Sequence, residues 1–86
     1  SGRKALYVNP YFTRRFNGMT VEESLPLLEY LYKHATRHEN IYRHSWRVGD
    51  VLMWDNRCAM HYAVRDYDEN LVRFLHRTTA AGDRPV

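Results

Sequence analysis

The sequence predicts a mainly β fold with one helix, and three observations support this class. Aromatic residues make up 14% of the chain, with seven tyrosines and two tryptophans, and such side chains favour strands or an aromatic-lined pocket. Short apolar runs alternate with turn-forming residues along most of the chain. One stretch, residues 20–37, instead repeats its apolar residues at helical spacing. This order is typical of a sandwich or jelly roll with one inserted helix.

The predicted strands are short runs of apolar and aromatic residues bounded by turn signals. Pro10 ends the first run because proline provides no donor for a strand ladder. Val51–Trp54 is apolar at every position, so we expect it to be buried on both faces. The five predicted strands are Ala5–Asn9, Ile41–Trp46, Val51–Trp54, Cys58–Ala63 and Leu71–Thr79.

Polar and glycine-containing segments separate these elements. Gly18, after Asn17, and Gly49 are suited to turns because glycine adopts positive φ without steric cost. The predicted connections are an irregular loop at Tyr11–Gly18, a polar stop at His38–Asn40, a turn at Arg47–Asp50, a polar corner at Asp55–Arg57, a charged hairpin-type loop at Arg65–Asn70 and an exit coil at Ala80–Val86.

The single predicted helix begins with a capping signal. Thr20 followed by Glu23 matches a capping box, in which each side chain accepts a hydrogen bond from the other residue's backbone N–H. Pro26 conflicts with a regular helix, because proline removes one hydrogen bond. Either the helix kinks there or Ser24 caps a second start; we expect a start near residue 21 with an irregular first turn. The predicted apolar stripe contains Leu25, Leu28, Leu31 or Tyr32, and Ala35.

Length and charge limit the functions that the chain can have. Its 86 residues form at most one small domain, residues 1–86, with a modest core. The net charge of +3 invites a small basic module that binds nucleic acid or an anionic partner, but no run of five basic residues occurs. No apolar run reaches the roughly 18 residues of a membrane span. The one cysteine, Cys58, is expected to be buried and fits a reducing, cytoplasmic location.

Three residues carry the candidate chemistry. Arg73 and Arg77 share one face of the last predicted strand, and the planar fork of arginine suits carboxylate, sulfonate or phosphate. A solvent-facing position is the alternative. His61 lies in an apolar run, where a histidine is either a hydrogen-bonded core residue or a metal ligand.

The residues alone do not make a complete catalytic centre. A non-haem iron site requires two histidines and one carboxylate, and the chain contains no His-x-Asp or His-x-Glu pair. A glycine-rich phosphate loop and a Gly-x-Ser-x-Gly elbow are also absent from the sequence. Cys58 and His61 are three residues apart, so on a strand they would face opposite sides and could not form a nucleophile–base pair.

Four segments carry a resemblance to a known family. GRKALYVNP near the start, GDVLMWDNRCAMHYA, RDY and LVRFLHRTTAAGDRP together resemble the C-terminal third of the TauD/TfdA-type Fe(II)/2-oxoglutarate-dependent dioxygenases. The resemblance runs over essentially all 86 residues and implies part of a double-stranded β-helix, that is, a partial jelly roll. Trp54 and Asn56 of the WDNR signature are expected to shape the site without binding iron.

The resemblance assigns four site residues. His61 matches the family's distal iron-binding histidine, and Arg73 matches the arginine that binds the far carboxylate of 2-oxoglutarate. Arg77 matches the arginine that reaches the anionic group of the substrate, and Phe12 lies where taurine-type members place a pocket aromatic.

The implied function belongs to a larger enzyme. The resemblance implies hydroxylation of a small anionic substrate such as taurine, an alkylsulfonate or an alkyl sulfate, with O2 and 2-oxoglutarate consumed and succinate and CO2 formed. The family's His-x-Asp pair would lie before Ser1, so the chain alone is expected to be inactive. No nucleic acid or membrane partner is expected, and the oligomeric state stays open, a homo-oligomer included. The alternative, a basic binding module without enzymatic activity, leaves WDNR unexplained.

Overall fold

A computed structural model describes residues 2–84 of the chain. These residues contain one α-helix, α1 (Val21–Ala35), and a short 3-10 helix at His38–Asn40. The predicted domain 1–86 and exit coil 80–86 extend onto Ser1, Pro85 and Val86, which lie outside the described residues. With 15 residues, α1 falls short of a membrane span, and the described part of the chain holds no other helix that could form one.

The prediction of a mainly β, jelly-roll fold is wrong. Residues 2–84 contain no strand, and none of the five predicted strands forms. A strand requires a neighbour whose backbone groups pair with its own, so a β-type side-chain pattern does not suffice. The apolar runs lack such neighbours here. Val51 and Met53, which the sequence predicted to be buried, are 94% and 91% exposed.

The start of α1 confirms the predicted capping box. The Thr20 hydroxyl accepts a hydrogen bond from the Glu23 N–H, and the Glu23 carboxylate accepts one from the Thr20 N–H, both at 3.1 Å. The Thr20 backbone N–H, and after it the Thr20 side chain, lower the pKa of Glu23. The Ser24 N–H donates to the Thr20 carbonyl at 3.0 Å, so the first turn is regular and the expected irregularity is absent. Pro26 lies inside the continuous helix.

One face of α1 packs against the preceding loop. Leu28 is buried, as predicted, but Leu25 is 51% exposed, and fully buried Ser24 takes the inward position in its place. The Ser24 hydroxyl accepts a hydrogen bond from the Phe16 N–H at 3.0 Å. A buried polar group requires such a partner, which explains why serine is tolerated at this position.

The predicted turns are formed even though the strands between them are not. Gly18 and Gly49 have φ values of 79° and 89°, as expected for glycines at turns. In the turn at residues 47–50, the Asp50 N–H donates to the Arg47 carbonyl at 3.1 Å. The Asp50 carboxylate accepts from the Arg47 N–H at 2.9 Å and closes the turn from the other side.

The chain is more expanded than a folded domain of its length. Its radius of gyration is 16.3 Å, whereas a compact domain of this length would have about 12 Å. Its accessible surface is 9051 Å², against roughly 5,400 Å² for a compact protein of this mass. Most of its apolar side chains therefore remain exposed to solvent.

Candidate functional site

The WDNR signature forms a tight corner around Asp55. The Asp55 carbonyl accepts hydrogen bonds from the N–H groups of Cys58 and Ala59, at 3.2 and 3.0 Å. Its carboxylate accepts from the Arg57 N–H at 2.9 Å, and from Nε and Nη2 of the Arg57 guanidinium at 3.0 and 2.9 Å. One residue thus organises the turn through both its backbone and its side chain, as short acidic side chains often do.

The contact between Asp55 and Arg57 shifts the pKa of both side chains. The hydrogen bonds from the Arg57 side chain, followed by the one from its backbone, lower the pKa of Asp55 from 3.8 to about 2. The pairing in turn raises the pKa of Arg57. Both side chains are about half exposed, so solvent screening keeps the contribution of this ion pair to stability small. The role of the ion pair is to hold the corner around Asp55 in one geometry.

The corner positions the neighbours of His61. The Trp54 indole N–H donates to the Asn56 side-chain carbonyl at 2.8 Å. The Trp54 ring lies against the His61 imidazole, with centroids 4.9 Å apart and planes inclined by 49°. The expectation that His61 lies in a buried run is wrong, because His61 and its neighbours Met60 and Tyr62 are exposed.

His61 opens onto a cavity of about 640 Å³ that three tyrosines surround. The guanidinium carbon of Arg73 lies 5.3 Å from the centroid of the Tyr67 ring, within the range of a cation–π contact. Tyr67 therefore connects the surroundings of His61 with Arg73. The lining residues are Tyr11, His61, Tyr62, Ala63, Arg65 and Tyr67.

Arg77 and Phe12 are not among the residues that line this cavity. Arg77 is exposed, and Phe12 is 85% exposed. The Asn9 carboxamide oxygen accepts hydrogen bonds from the N–H groups of Tyr11 and Phe12, at 3.0 and 2.9 Å. In the turn that these bonds hold, Tyr11 lies at the cavity wall, beside the residue that the sequence singled out. Asn9-Pro10 is a recognised turn signal, but it does not indicate which of the following rings reaches the cavity.

Arg65 and Tyr67 also line the cavity, although the sequence did not predict a site role for either residue. Both were assigned to a charged loop, and the structure confirms a turn there, with the Leu71 N–H donating to the Asp68 carbonyl at 3.0 Å. A loop position is compatible with a functional role, since binding residues often lie on loops. Proximity to His61 was the missing information, and spacing along the chain does not contain it.

His61 is a candidate ligand for a metal ion. Among residues 2–84 there is no group of three or more His, Cys, Asp or Glu side chains that could hold a metal ion. An exposed imidazole at an open cavity fits the role of a single ligand, while the complete facial set requires three.

Cys58 is exposed, so the prediction of a buried thiol is wrong.

Comparisons with known proteins agree on one family. The family model described as "Taurine catabolism dioxygenase TauD, TfdA family" matches residues 1–79. The alpha-ketoglutarate-dependent 2,4-dichlorophenoxyacetate dioxygenase of Burkholderia sp. (strain RASC) is 45% identical over 98% of this chain and 28% of its own length. The alpha-ketoglutarate-dependent sulfate ester dioxygenase of Pseudomonas putida is 43% identical over 100% of this chain and 28% of its own length.

A relative with lower sequence identity is also named as dependent on alpha-ketoglutarate. The alpha-ketoglutarate-dependent sulfonate dioxygenase of Saccharomyces cerevisiae is 38% identical over 98% of this chain and 21% of its own length. The chain thus spans less than a third of the length of these curated relatives. No solved structure matches.

Proposed function

From the match over residues 1–79, which shows that the chain belongs to the TauD/TfdA dioxygenase family, we propose that it forms part of an Fe(II)/2-oxoglutarate-dependent dioxygenase. The substrate would be a small organic anion that is hydroxylated while 2-oxoglutarate is converted to succinate and CO2. The observation that carries this proposal is the identity of 38–45% to three relatives whose names all state dependence on alpha-ketoglutarate.

His61 would contribute one imidazole to the iron. Bound Fe(II) would supply the chemistry that activates O2. The Trp54 ring, 4.9 Å from the imidazole, restricts the orientations that the His61 side chain can adopt. The hydrogen bond from Trp54 to Asn56 in turn fixes the indole. This support accounts for the presence of tryptophan and asparagine in the WDNR corner, although neither is suited to bind iron.

Arg73 would bind the carboxylate of 2-oxoglutarate that lies far from the iron. Its guanidinium can donate two parallel hydrogen bonds to a carboxylate, a geometry that lysine cannot reproduce. The Tyr67 ring lies 5.3 Å from the guanidinium carbon and limits the orientation of the fork before the ligand arrives. Such preorganisation reduces the entropy lost on binding.

Arg77 would bind the anionic group of the primary substrate. The three relatives are named for a sulfonate, a sulfate ester and a dichlorophenoxyacetate, and each of these compounds carries a negative group. Phe12 would provide an apolar contact for the rest of the substrate.

The test compares two arginine variants of the full-length protein that contains this chain. Arg73→Ala is expected to raise the KM for 2-oxoglutarate at least tenfold, because a charge-assisted pair is lost. Arg77→Ala is expected to raise the KM for the primary substrate and to leave that for 2-oxoglutarate nearly unchanged. Arg14→Ala, which removes an exposed arginine outside the cavity, is the control. Unchanged dependence on 2-oxoglutarate in Arg73→Ala would contradict the assignment.

A spectroscopic measurement tests the role of His61 without turnover. Addition of Fe(II) and 2-oxoglutarate to the full-length protein under anaerobic conditions is expected to produce a weak visible charge-transfer band. His61→Ala is expected to abolish it. Absence of the band in the unaltered protein would count against an iron–2-oxoglutarate site, and would favour the alternative of a basic binding module, whose binding would weaken steeply with salt.

A further inference from the structure

A second cavity, of about 910 Å³, lies where residues near both ends of the described chain approach the Asp55 corner. None of its lining residues lines the cavity beside His61. Neither the family resemblance nor the proposed function gives this second cavity a role. Its wall is formed by residues 2–5, Tyr7, residues 55–58, Asp83 and Arg84.

The wall of the second cavity carries an excess of positive charge. Asp55 balances Arg57, because hydrogen bonds of 2.9 and 3.0 Å join its carboxylate to the Arg57 guanidinium. The other charged groups of the wall are three cations and one carboxylate, namely Arg3, Lys4, Arg84 and Asp83. Within residues 2–84, the ion pairs closer than 4 Å include none of these four. Three cations against one carboxylate leave an excess of two positive charges.

The number and type of these cations match the phosphate group of a phosphomonoester. Such a group carries a charge of about −1.5 to −2 at pH 7 and has three strongly accepting oxygens. Two guanidinium groups and one ammonium group can each donate to one of these oxygens. A sulfonate or a sulfate ester is a monoanion, so it would leave part of the excess charge on the wall unbalanced.

The size of the second cavity and the ring of Tyr7 indicate a ligand larger than inorganic phosphate. The volume is within the range of roughly 300–1,000 Å³ that small-molecule sites have. Tyr7 lines the same wall and is 54% exposed. An accessible aromatic face provides a contact for an apolar or aromatic group attached to the phosphate.

We infer that the second cavity binds a small organic phosphomonoester, with its phosphate group at Arg3, Lys4 and Arg84. The organic part of the ligand lies against Tyr7. This inference goes beyond the proposed function and does not depend on it, because none of the residues assigned to iron, 2-oxoglutarate or the primary substrate takes part. Direct binding, which requires no turnover, therefore tests it separately.

The experiment titrates phenyl phosphate into the full-length protein without added iron and measures the heat of binding. Arg84→Gln is expected to weaken binding about tenfold, as loss of a charge-assisted hydrogen bond does. Arg84→Lys retains the charge and is expected to recover part of the loss. Arg47→Gln removes an exposed arginine outside the second cavity and is the matched control. Equal affinities of Arg84→Gln and Arg47→Gln would overturn the inference, as would failure of the unaltered protein to bind phenyl phosphate.

Two further comparisons test the location and the class of the ligand. Tyr7→Ala is expected to weaken the binding of phenyl phosphate more than that of inorganic phosphate, and equal effects would contradict the contact with the ring. 2-Oxoglutarate, also a dianion, is expected not to displace phenyl phosphate at equal concentration. Displacement, or loss of phenyl phosphate binding in Arg73→Ala, would place the probe at the proposed co-substrate site and overturn the inference.

Discussion

At the scale of single residues, Asp55 organises the corner that lies next to the candidate site. Its carbonyl and carboxylate together receive six hydrogen bonds from Arg57, Cys58 and Ala59. Identity and spacing along the chain were enough to predict a polar corner there. They were not enough to show that Arg57 is held by Asp55 and so is not a free cation.

Acidification is expected to open this corner. The folded-state pKa of Asp55 is about 2, below its ordinary value of 3.8. A lowered pKa means that the stabilisation is present above pH 3.8 and is lost as the pH falls through about 2. The carboxyl ¹³C resonance of Asp55 should therefore titrate near pH 2. Arg57→Gln should move the midpoint towards 3.8, and a midpoint already at 3.8 in the unaltered protein would refute the pairing.

Tyr67 is expected to act as a positioning residue for Arg73. In the full-length protein, Tyr67→Leu removes the ring under the guanidinium and should raise the KM for 2-oxoglutarate about two- to fivefold, as loss of an exposed cation–π contact predicts. Tyr67→Phe retains the ring and should be nearly neutral. Equal effects of the two substitutions would indicate that the hydroxyl, and not the ring face, is what matters.

At the scale of elements, α1 was predictable and the strands were not. A helix satisfies its backbone groups within one segment, and its capping box is a local signal that Thr20 and Glu23 carry by themselves. A strand depends on pairing with residues that are distant in sequence. The apolar runs at Ile41–Trp46 and Cys58–Ala63 therefore do not show whether a partner strand is present. The inward position of Ser24, where Leu25 was predicted, has a similar cause. It depends on the loop before the helix, whose Phe16 N–H donates a hydrogen bond to the Ser24 hydroxyl.

Loss of the capping box is expected to destabilise α1. Thr20→Ala should cost about 1 kcal/mol of helix stability, because the Glu23 N–H loses its acceptor. The change is measured in the full-length protein as reduced ellipticity at 222 nm and a lower midpoint of thermal unfolding. Thr78→Ala, an exposed threonine outside the helix, is the control and should leave both quantities unaltered. An effect of equal size in the two variants would argue against a role for the cap.

At the scale of the whole molecule, the described residues do not enclose a single core. Ser24 and Leu28 are buried, whereas many large apolar side chains are exposed. Hydrophobic burial is the main favourable contribution to folding, so this chain is expected to have low stability by itself. The corner, the cavity and α1 are held mainly by local hydrogen bonds. Cytoplasmic location stays a prediction from the sequence.

The isolated chain is expected to unfold without a sharp transition. Its urea dependence should have a slope below about 1 kcal/mol/M, since the slope scales with the surface newly exposed on unfolding. The same sample should bind a hydrophobic dye and consume no 2-oxoglutarate when Fe(II) is added. Circular dichroism across a urea titration measures the slope, with the full-length protein as the comparison. A steep, cooperative transition of the isolated chain would contradict this expectation.

The sequence by itself determined the family, α1 with its cap, and the turns at Gly18, Gly49 and Asp55. The helix cap and the turns depend on residues that are close together in the chain. The family is recognised from the identities of residues, which can be compared without a structure. Only the tertiary structure decided that the apolar runs stay unpaired, that Tyr11, Arg65 and Tyr67 surround His61, and that Arg73 lies against a tyrosine ring. Strand pairing and the approach of Tyr11 to His61 depend on contacts between distant segments, and the spacing of residues along a chain does not specify which segments meet. The contacts of Arg65 and Tyr67 near His61, and of Arg73 with Tyr67, depend on the path of one irregular loop, which carries no periodic signal in the sequence.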